Sequence, residues 1–437
     1  MNKIIKIILL VITVLLSGFI LLKSIKTINL KNELNKLNKL NENLKNIKNV
    51  RDIKNVRDIK NVDSSINDYE MINNDYLHMT EEDFDKLDVD DRWNYRIQCL
   101  KEFKNFSGDY KIKTFKNPLP KSENNGLIFV NLASYRDPEC HKTVKSLIYN
   151  SNNWKNLRIC VCEQNSEEDL SCKYKLESIY FPIIKTINLS YKDARGPTWA
   201  RFLIQQEYEA EQYYLQIDSH TIFEKDWDLK LIKSLNSLPP KSCLTQYLPD
   251  YNIGSFKTVP KLRENLYVDR VCALDGFTRI SSQYGNINNE YLYPFPSCGW
   301  SGCFSFSSGD ICYDAPIDCY TPDVFFGEEM DICLRLFTRG WNFYAPNYPI
   351  AYTNFNRQYR ETFWEKKGLG YNKNITLCSR LRIHYRLGTL PNKIRKLIEN
   401  EYPELLIEVD KFILGNVRDL NDYQKLIGFD FATEQKI

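Results

Sequence analysis

Three short apolar runs in the first half of the chain predict β-strands. Leu127–Ala133 and Leu157–Cys162 are almost continuously apolar, as expected of strands covered on both faces, and Ile183–Leu189 predicts a third strand. Between the first two runs, Pro138–Tyr149 predicts a helix, since proline is tolerated in a first turn. This alternation indicates an α/β domain with a mainly parallel sheet.

A further strand is predicted over Tyr213–Phe223, and it contains the polar triplet Asp218-Ser219-His220. If the chain stays extended, the two-residue period places Asp218 and His220 on one side of the strand and Ser219 on the other. A carboxylate and an imidazole that converge at a strand end suit a divalent cation such as Mn²⁺. The alternative is that Asp218 caps the next segment and His220 is a hydrogen-bonded loop histidine.

Polar residues also follow the first predicted strand, in the segment Ser134-Tyr135-Arg136-Asp137. Ligands of parallel sheets bind at the carboxyl ends of the strands. We therefore expect this segment and the triplet that begins at Asp218 to share one site.

Two segments combine a turn with a predicted helix. Gly196-Pro197 opens a helix that is expected to end near Gln212, with Arg195 just before it and Arg201 one turn inside. A helix N-terminus with an arginine can bind an anion. The alternative is a surface turn with solvated arginines.

The second such segment is a helix predicted over Met330–Thr338, with Gly340 as its cap. Glu328 and Glu329 precede it, and they either satisfy the helix dipole or present an acid to a cleft. Upstream, the segment Ser297–Ser308 is rich in glycine and serine and predicts a binding loop.

The ends of the chain predict further segments. Residues 4–22 are long and apolar enough to cross a bilayer, so we expect a signal-anchor helix over 1–24, with a cleaved signal peptide as the alternative. Lysines on both sides leave its orientation open. The remaining boundaries that we predict are a low-complexity stem with NVRDIK repeats (25–90), a helical pre-domain and linker (91–125), a catalytic domain (126–388) and a C-terminal helical extension (389–437).

Net charge and cysteine spacing bear on which partners and metal sites to expect. The formal net charge is +3, from 59 basic and 56 acidic residues, which gives no reason to expect nucleic acid as a partner. All 13 cysteines follow residue 98, and their spacing does not match a structural zinc site. If this part is lumenal, several are expected to pair, and the odd number leaves at least one without an intramolecular partner.

Several segments occur together and in order in one known family. SYRD, ARGPTWAR, the strand with DSH, GCFSF, FFGEE and RxxTRGWNFYAP resemble the glycosyltransferases that attach N-acetylglucosamine (GlcNAc) to hydroxyproline of a ubiquitin-ligase adaptor protein. The resemblance runs from about residue 127 to residue 364, and it extends more distantly to the polypeptide N-acetylgalactosaminyltransferases. Both have the GT-A fold, a nucleotide-binding α/β domain that uses UDP-sugars and a divalent cation.

The resemblance implies a role for each candidate residue. Asp218 and His220 would hold Mn²⁺, which bridges the diphosphate and stabilises the departing UDP. The other implied positions are near the nucleotide for Ser134, Arg136 and Asp137, near the diphosphate or sugar for Arg195 and Arg201, and near the sugar or acceptor for Glu328 or Glu329, with a general base as an option.

The sequence departs from the family in two places. The family supplies a third metal ligand, a histidine, shortly before an aromatic-x-Arg, but residues 352–357 read YTNFNR. The third ligand is then Thr353, Asn354 or a water, or the chain is impaired. The second departure is the anchor, because the adaptor-modifying members are cytosolic; it favours a type II membrane protein with a lumenal catalytic domain.

We therefore expect a transferase that moves a sugar, GlcNAc by resemblance, from a UDP-sugar such as UDP-GlcNAc to a hydroxyl of a protein or glycan. The alternative is a catalytically impaired glycan-binding or scaffold protein with the same fold. Metal-dependent hydrolysis needs more ligands than Asp218 and His220 provide.

Overall fold

The computed structural model describes residues 81–103, 115–250, 262–286, 294–346, 350–356, 358–365 and 373–437. The predicted anchor and all but the last residues of the predicted stem lie outside these ranges. Within them, no helix is both long and apolar enough for a membrane span.

The central element is an eight-stranded sheet with the strand order β3-β2-β1-β4-β10-β6-β11-β9. In chain order the strands are β1 Ile128–Tyr135, β2 Leu157–Asn165, β3 Ile184–Ser190, β4 Tyr213–Asp218, β5 Thr221–Phe223, β6 Ser242–Thr245, β7 Leu262–Val271, β8 Thr278–Asn286, β9 Phe295–Ser297, β10 Phe304–Ser308, β11 Asn342–Ala345, β12 Ala351–Thr353, β13 Phe429–Asp430 and β14 Gln435–Lys436. Strands β3, β2, β1 and β4 are parallel, and β10 joins β4 in the antiparallel sense. The prediction of an α/β domain is confirmed, with a sheet that is mixed beyond β4.

Helices cover both faces of the sheet. They are α1 Glu81–Asp85, α2 Val89–Arg96, α3 Cys140–Tyr149, α4 Pro197–Gln205, α5 Trp227–Asn236, α6 Asp310–Asp314, α7 Glu328–Thr338, α8 Lys373–Leu387, α9 Asn392–Glu401 and α10 Leu420–Ile427. Side chains of a strand alternate between its two faces. In β1, Val130 and Leu132 accordingly join a core cluster with Val144 of α3, whereas Phe129 joins a second cluster with Phe202 of α4.

Three predicted elements differ from the structure. The strand predicted over Tyr213–Phe223 is broken, because the chain turns at Ser219-His220 and β5 pairs with β12 in a separate sheet. Helix α4 ends at Gln205 instead of Gln212, because the buried Tyr208 closes a turn by donating its hydroxyl to the carbonyl of Glu211.

The third difference is the predicted binding loop Ser297–Ser308, whose second half is the central strand β10. Phe304 and Phe306 are fully buried opposite residues of β4, which accounts for the extended conformation. The residues before Phe304 do form a loop.

The two ends of the described chain are fastened to each other. The carboxylate of Glu434 pairs with Arg92 (2.9 Å) and Arg96 (2.5 Å) of α2, and its side chain is only 1% exposed. Trp93 of the same helix packs edge-on against His384 of α8. Buried ion pairs therefore connect the predicted pre-domain, through Arg92 and Arg96, to the predicted C-terminal extension, through Glu434.

All thirteen cysteines belong to the described part of the chain, and all are free thiols. Eleven are buried, and Cys298 and Cys303 are partly exposed. The structure therefore shows none of the disulfides that a lumenal location would lead one to expect.

Candidate functional site

The carboxyl edge of the sheet brings the two predicted metal ligands together. Asp218 is the last residue of β4, and its Oδ2 lies 3.9 Å from Nε2 of His220. The side chain of Asp218 is 25% exposed and that of His220 is 4% exposed. The convergence was predicted from an extended strand, but the structure achieves it through the turn at Ser219-His220.

A buried carboxylate, Asp137, lies behind His220. Its Oδ2 is 2.8 Å from Nδ1 of His220 and accepts the hydroxyl of Ser219 at 2.6 Å. Burial alone would raise the pKa of Asp137, but the hydrogen bond with His220 and the charge of Arg360 lower it to about 2. The structure places the Asp137 side chain behind His220, fully buried, and its implied position near the nucleotide stays a prediction.

The Asp137 carboxylate assigns the imidazole proton of His220 to Nδ1, since an ionised carboxylate can only accept. The lone pair of Nε2 then points to the side where Asp218 lies. Metal-binding histidines usually have such a carboxylate on the second nitrogen. Two ligand atoms 3.9 Å apart also fit one cation, because bonds of about 2.1 Å span up to about 4.2 Å.

The protein offers the cation few other ligands. In the described ranges, no group of three or more His, Cys, Asp or Glu side chains is arranged to hold a metal ion.

The segment from which a third ligand was expected passes directly beside His220. The amide of Asn354 donates to the carbonyl of His220 at 3.0 Å, and Oγ1 of Thr353 reaches the same carbonyl at 3.4 Å. Oδ1 of Asn354 accepts the amide of Asn356 at 3.0 Å. Both candidate oxygens bond to backbone groups and each keeps a lone pair, so Thr353, Asn354 and a water all stay open as the third ligand.

Arg201 connects Asp218 to the acidic helix start. It lies in the second turn of α4, where its guanidinium is 2.8 Å from Oδ1 of Asp218 and 2.5 Å from Oε2 of Glu328. Burial opposes the charge of Arg201, but Glu328 and Asp218 raise its pKa. The resemblance implies that Arg201 faces the diphosphate or sugar. In this structure its guanidinium is paired with the carboxylates of Asp218 and Glu328.

Glu328 and Glu329 begin α7 but have different surroundings. Burial raises the pKa of Glu328 despite Arg201, and its Oε1 has no hydrogen-bond partner in the described part of the chain. Glu329 accepts the amide of Gly302 at 2.9 Å and the hydroxyl of Tyr247 at 3.3 Å. Burial raises the pKa of Glu329 to about 7, and the charge of Glu328 contributes.

Gly302 and Tyr247 are site residues that the sequence did not identify individually. A Cβ on Gly302 would lie 2.9 Å from Nη1 of Arg201 and 3.5 Å from Oε2 of Glu328. A side chain at this position would therefore force the guanidinium of Arg201 to shift. Gly302 belongs to the GCFSF segment that resembles the family, and this is the sequence feature that indicates it. Nothing in the sequence indicates Tyr247.

A cleft of about 220 Å³ lies at the end of β1 and β2. It is lined by Arg136, Pro138, Asp169, Leu170, Tyr359, Arg360 and Glu361. Arg136 has a left-handed backbone (φ 46°), pairs with Asp169 at 2.9 Å and lies over the ring of Tyr191. Its predicted place beside a ligand is thus compatible with the cleft. Arg360, which also contacts Asp137, was not predicted.

Two remaining candidates lie elsewhere. Ser134 is 2% exposed and its hydroxyl interacts with the buried thiol of Cys140, so it does not face the cleft. Arg195 pairs through Nε with the fully buried Asp323 at 3.2 Å, and its own side chain is 19% exposed. The structure therefore does not bring Ser134 into the site, and it places Arg195 in an ion pair at the start of α4.

Comparisons with known proteins identify the family. The family model described as Glycosyltransferase (GlcNAc) matches residues 127–180 and 177–433. No curated protein matches the chain.

Three solved structures are similar at low identity. GalNAc-T7 with UDP, GalNAc and Mn²⁺ has 13% identity and a TM-score of 0.46, and the match covers 70% of this chain. S. aureus TarS 1-349 in complex with UDP-GlcNAc has 10% identity, a TM-score of 0.38 and coverage of 64% of this chain and 73% of that chain. The Pyrobaculum calidifontis mannosyltransferase PcManGT with GDP-Man and Mn²⁺ has 10% identity, a TM-score of 0.35 and coverage of 74% of this chain and 82% of that chain.

The chain spans 57% of the length of the GalNAc-T7 structure that it matches. The family assignment does not depend on these structures, because the family model alone extends over more than half of the chain. The protein therefore belongs to the glycosyltransferase (GlcNAc) family.

Proposed function

We propose that this protein transfers a sugar, with GlcNAc as the expected one, from a UDP-sugar to a hydroxyl of a protein or glycan. A divalent cation such as Mn²⁺ would be held by Asp218 and His220, in a domain of the GT-A type. The observation that carries the proposal is the convergence of Oδ2 of Asp218 and Nε2 of His220 at 3.9 Å, with the proton of His220 held by Asp137.

The bound cation would supply Lewis-acid stabilisation of the charge that develops on the leaving UDP. The residues around it keep its ligands in place. Asp137 fixes the ring of His220, and Arg201 fixes one oxygen of Asp218 while leaving Oδ2 available. The buried ion pairs of Arg201 also hold α7 and its acidic residues against the end of β4.

The two glutamates have separate tasks in this proposal. Oε1 of Glu328 is buried and has no hydrogen-bond partner in the described part, so Glu328 is assigned the hydroxyl of the sugar or acceptor, on the condition that substrate binding makes this oxygen accessible. Both oxygens of Glu329 are used by Gly302 and Tyr247. Glu329 is therefore a positioning residue that holds the loop over Arg201. Of the two acids, we assign the contact with the substrate to Glu328.

The test is a panel of UDP-sugars incubated with the full chain and Mn²⁺, with released UDP as the readout. We expect UDP release from one sugar, UDP-GlcNAc by family, and its loss in EDTA. Asp218→Ala should abolish the release, whereas Asp90→Ala, which removes an exposed carboxylate from α2, should not. Release that is equal in wild type and Asp218→Ala would contradict the assigned site.

A non-catalytic glycan-binding protein is the second candidate, and the small number of side-chain ligands favours it. Binding of a glycan without any binding of UDP, with or without Mn²⁺, would establish it in place of the transferase. For the location of the protein we keep the proposal of a type II membrane protein with a lumenal domain, which rests on residues 4–22 of the sequence.

A further inference from the structure

Two buried cysteines from distant parts of the chain are in direct contact. The Sγ atoms of Cys99 and Cys378 lie 3.3 Å apart, although 279 residues separate them. Cys99 belongs to the 3-10 helix Ile97–Glu102 that continues α2, and Cys378 belongs to α8. Their exposures are 2% and 0%.

The surroundings of this pair are those of a structural crosslink. Both cysteines belong to the same apolar cluster as Leu100 and Leu381, so the sulfurs lie in a dry interior. Burial and the neighbouring thiol raise the pKa of Cys378, so its thiolate is disfavoured once the domain has folded. A disulfide has a sulfur–sulfur distance of about 2.05 Å, so the two sulfurs need to approach by only about 1.3 Å.

We infer that Cys99 and Cys378 form a disulfide when the protein folds in an oxidising compartment. The oxidant is a small-molecule disulfide such as glutathione disulfide. The thiolate of one cysteine attacks a sulfur of this disulfide and releases one glutathione; the other cysteine then attacks the mixed disulfide and releases the second. The two thiol protons end on the two glutathiones. Because the sulfurs are buried, the exchange takes place while the two helices assemble.

The bond would join the helices that follow the predicted stem to the body of the domain. The same helices are already held there by the ion pairs of Arg92 and Arg96 with Glu434. The crosslink would therefore secure the 3-10 helix Ile97–Glu102 to α8. Its presence also depends on location, since disulfides persist in the secretory lumen and are reduced in the cytosol. The inference does not depend on the proposed function.

The experiment is peptide mapping of the purified full chain, refolded in a glutathione buffer of ER-type redox poise, alkylated under denaturing conditions and digested without reductant. We expect a crosslinked peptide pair that contains Cys99 and Cys378, and alkylation of the other eleven cysteines. Complete alkylation of both residues, or crosslinking of either to a different cysteine, would overturn the inference.

The Tm with and without dithiothreitol provides a second measurement. Because each variant is compared with itself, the result can be interpreted even if a substitution lowers stability. Dithiothreitol should lower the Tm of the oxidised wild type by about 5 °C, and it should leave the Tm of Cys99→Ser and of Cys378→Ser unchanged. Cys298→Ser, at a partly exposed cysteine, should keep the sensitivity of the wild type. A wild-type Tm that does not respond to dithiothreitol would also overturn the inference.

Discussion

Nδ1 of His220 lies 2.8 Å from Oδ2 of the buried Asp137, so one carboxylate determines which nitrogen of the imidazole carries the proton. The contact joins the end of β1 to the turn after β4, two segments 83 residues apart in the chain. It leaves Nε2 on the side of Asp218, and it makes Asp137 a positioning residue for the imidazole.

Asp137→Asn should weaken the binding of Mn²⁺ by roughly 10- to 100-fold, because the amide is a weaker acceptor for the proton on Nδ1 of His220. The dissociation constant of Mn²⁺, measured by electron paramagnetic resonance in the presence of UDP, gives this change. Asp90→Asn is the control, since it changes an exposed carboxylate of α2 and should leave the Mn²⁺ affinity unchanged. Equal Mn²⁺ affinities for wild type and Asp137→Asn would show that Asp137 does not orient a metal ligand.

Arg201→Met should destabilise the fold by roughly 3–5 kcal/mol, because it leaves Asp218 and Glu328 without their shared buried counter-charge. Urea denaturation at neutral pH measures the difference in the free energy of unfolding. Lys185→Ala, which breaks an exposed pair with Glu207, should cost less than about 1 kcal/mol. Similar losses in the two variants would mean that the Arg201 pairs are not structurally important.

Gly302→Ala should strongly reduce UDP release while the protein remains folded, because the added Cβ would lie 2.9 Å from Nη1 of Arg201, the nitrogen that pairs with Glu328. The measurement is UDP release from the active UDP-sugar, together with the Tm. Gly299→Ala lies in the same loop, and its Cβ meets the flexible end of Ile280 at 3.0 Å, so activity should persist there. Full activity in Gly302→Ala would show that the absence of a side chain at residue 302 is not needed to position Arg201.

Glu329 should make stability depend on pH between about 4.5 and 7. Its pKa is 4.5 in the unfolded chain and about 7 in the folded protein, so the folded state binds more protons in this window. The corresponding stabilisation is complete below pH 4.5 and is lost as the pH rises through 7.

Urea denaturation at pH 5 and pH 8 in EDTA tests this dependence. Between these values the wild type should lose on the order of 2 kcal/mol relative to Glu329→Gln. The lowered pKa of Asp137 affects stability only at more acidic pH and does not enter this window. A wild type and a Glu329→Gln variant that respond identically to pH would contradict the assignment.

Glu434→Gln should destabilise the protein by roughly 3–5 kcal/mol, because Arg92 and Arg96 would lose their buried carboxylate. The free energy of unfolding again provides the measurement. Lys436→Ala, two residues later and exposed, should have little effect. If Glu434→Gln were equally mild, the two ends of the described chain would not depend on each other.

Four of the eight strands of the central sheet, β1 to β4, were predictable from the sequence, and β1, β2 and β4 are buried on both faces. Strands β6, β9 and β11 were not predicted. The apolar runs that contain Val130 and Val161, both fully buried, marked β1 and β2 to within a few residues. Strand β10 was not predicted, because the glycine and serine content of Ser297–Ser308 suggested a loop, although Ser305 and Ser307 alternate with phenylalanines at the period of a strand. Both serines are 1% exposed, so small polar residues fill the space between sheet and helices there.

The candidate site was predictable in location but not in its contacts. Strand ends indicated where Asp218 and Asp137 would lie, since parallel strands end at a common edge. That Asp137 would face His220, and Arg201 would face Asp218 and Glu328, depends on how α4 and the turn after β4 pack. Periodicity within one segment contains no information on such contacts between segments.

The most direct test of the proposed site is the binding of UDP to the full chain, measured by isothermal titration calorimetry with Mn²⁺ and with EDTA. We expect the wild type to bind UDP with Mn²⁺ and to bind it at least ten times more weakly with EDTA. We expect Asp218→Ala to bind UDP equally weakly in both buffers. UDP affinity that is the same in wild type with and without Mn²⁺, or no binding in either buffer, would contradict it.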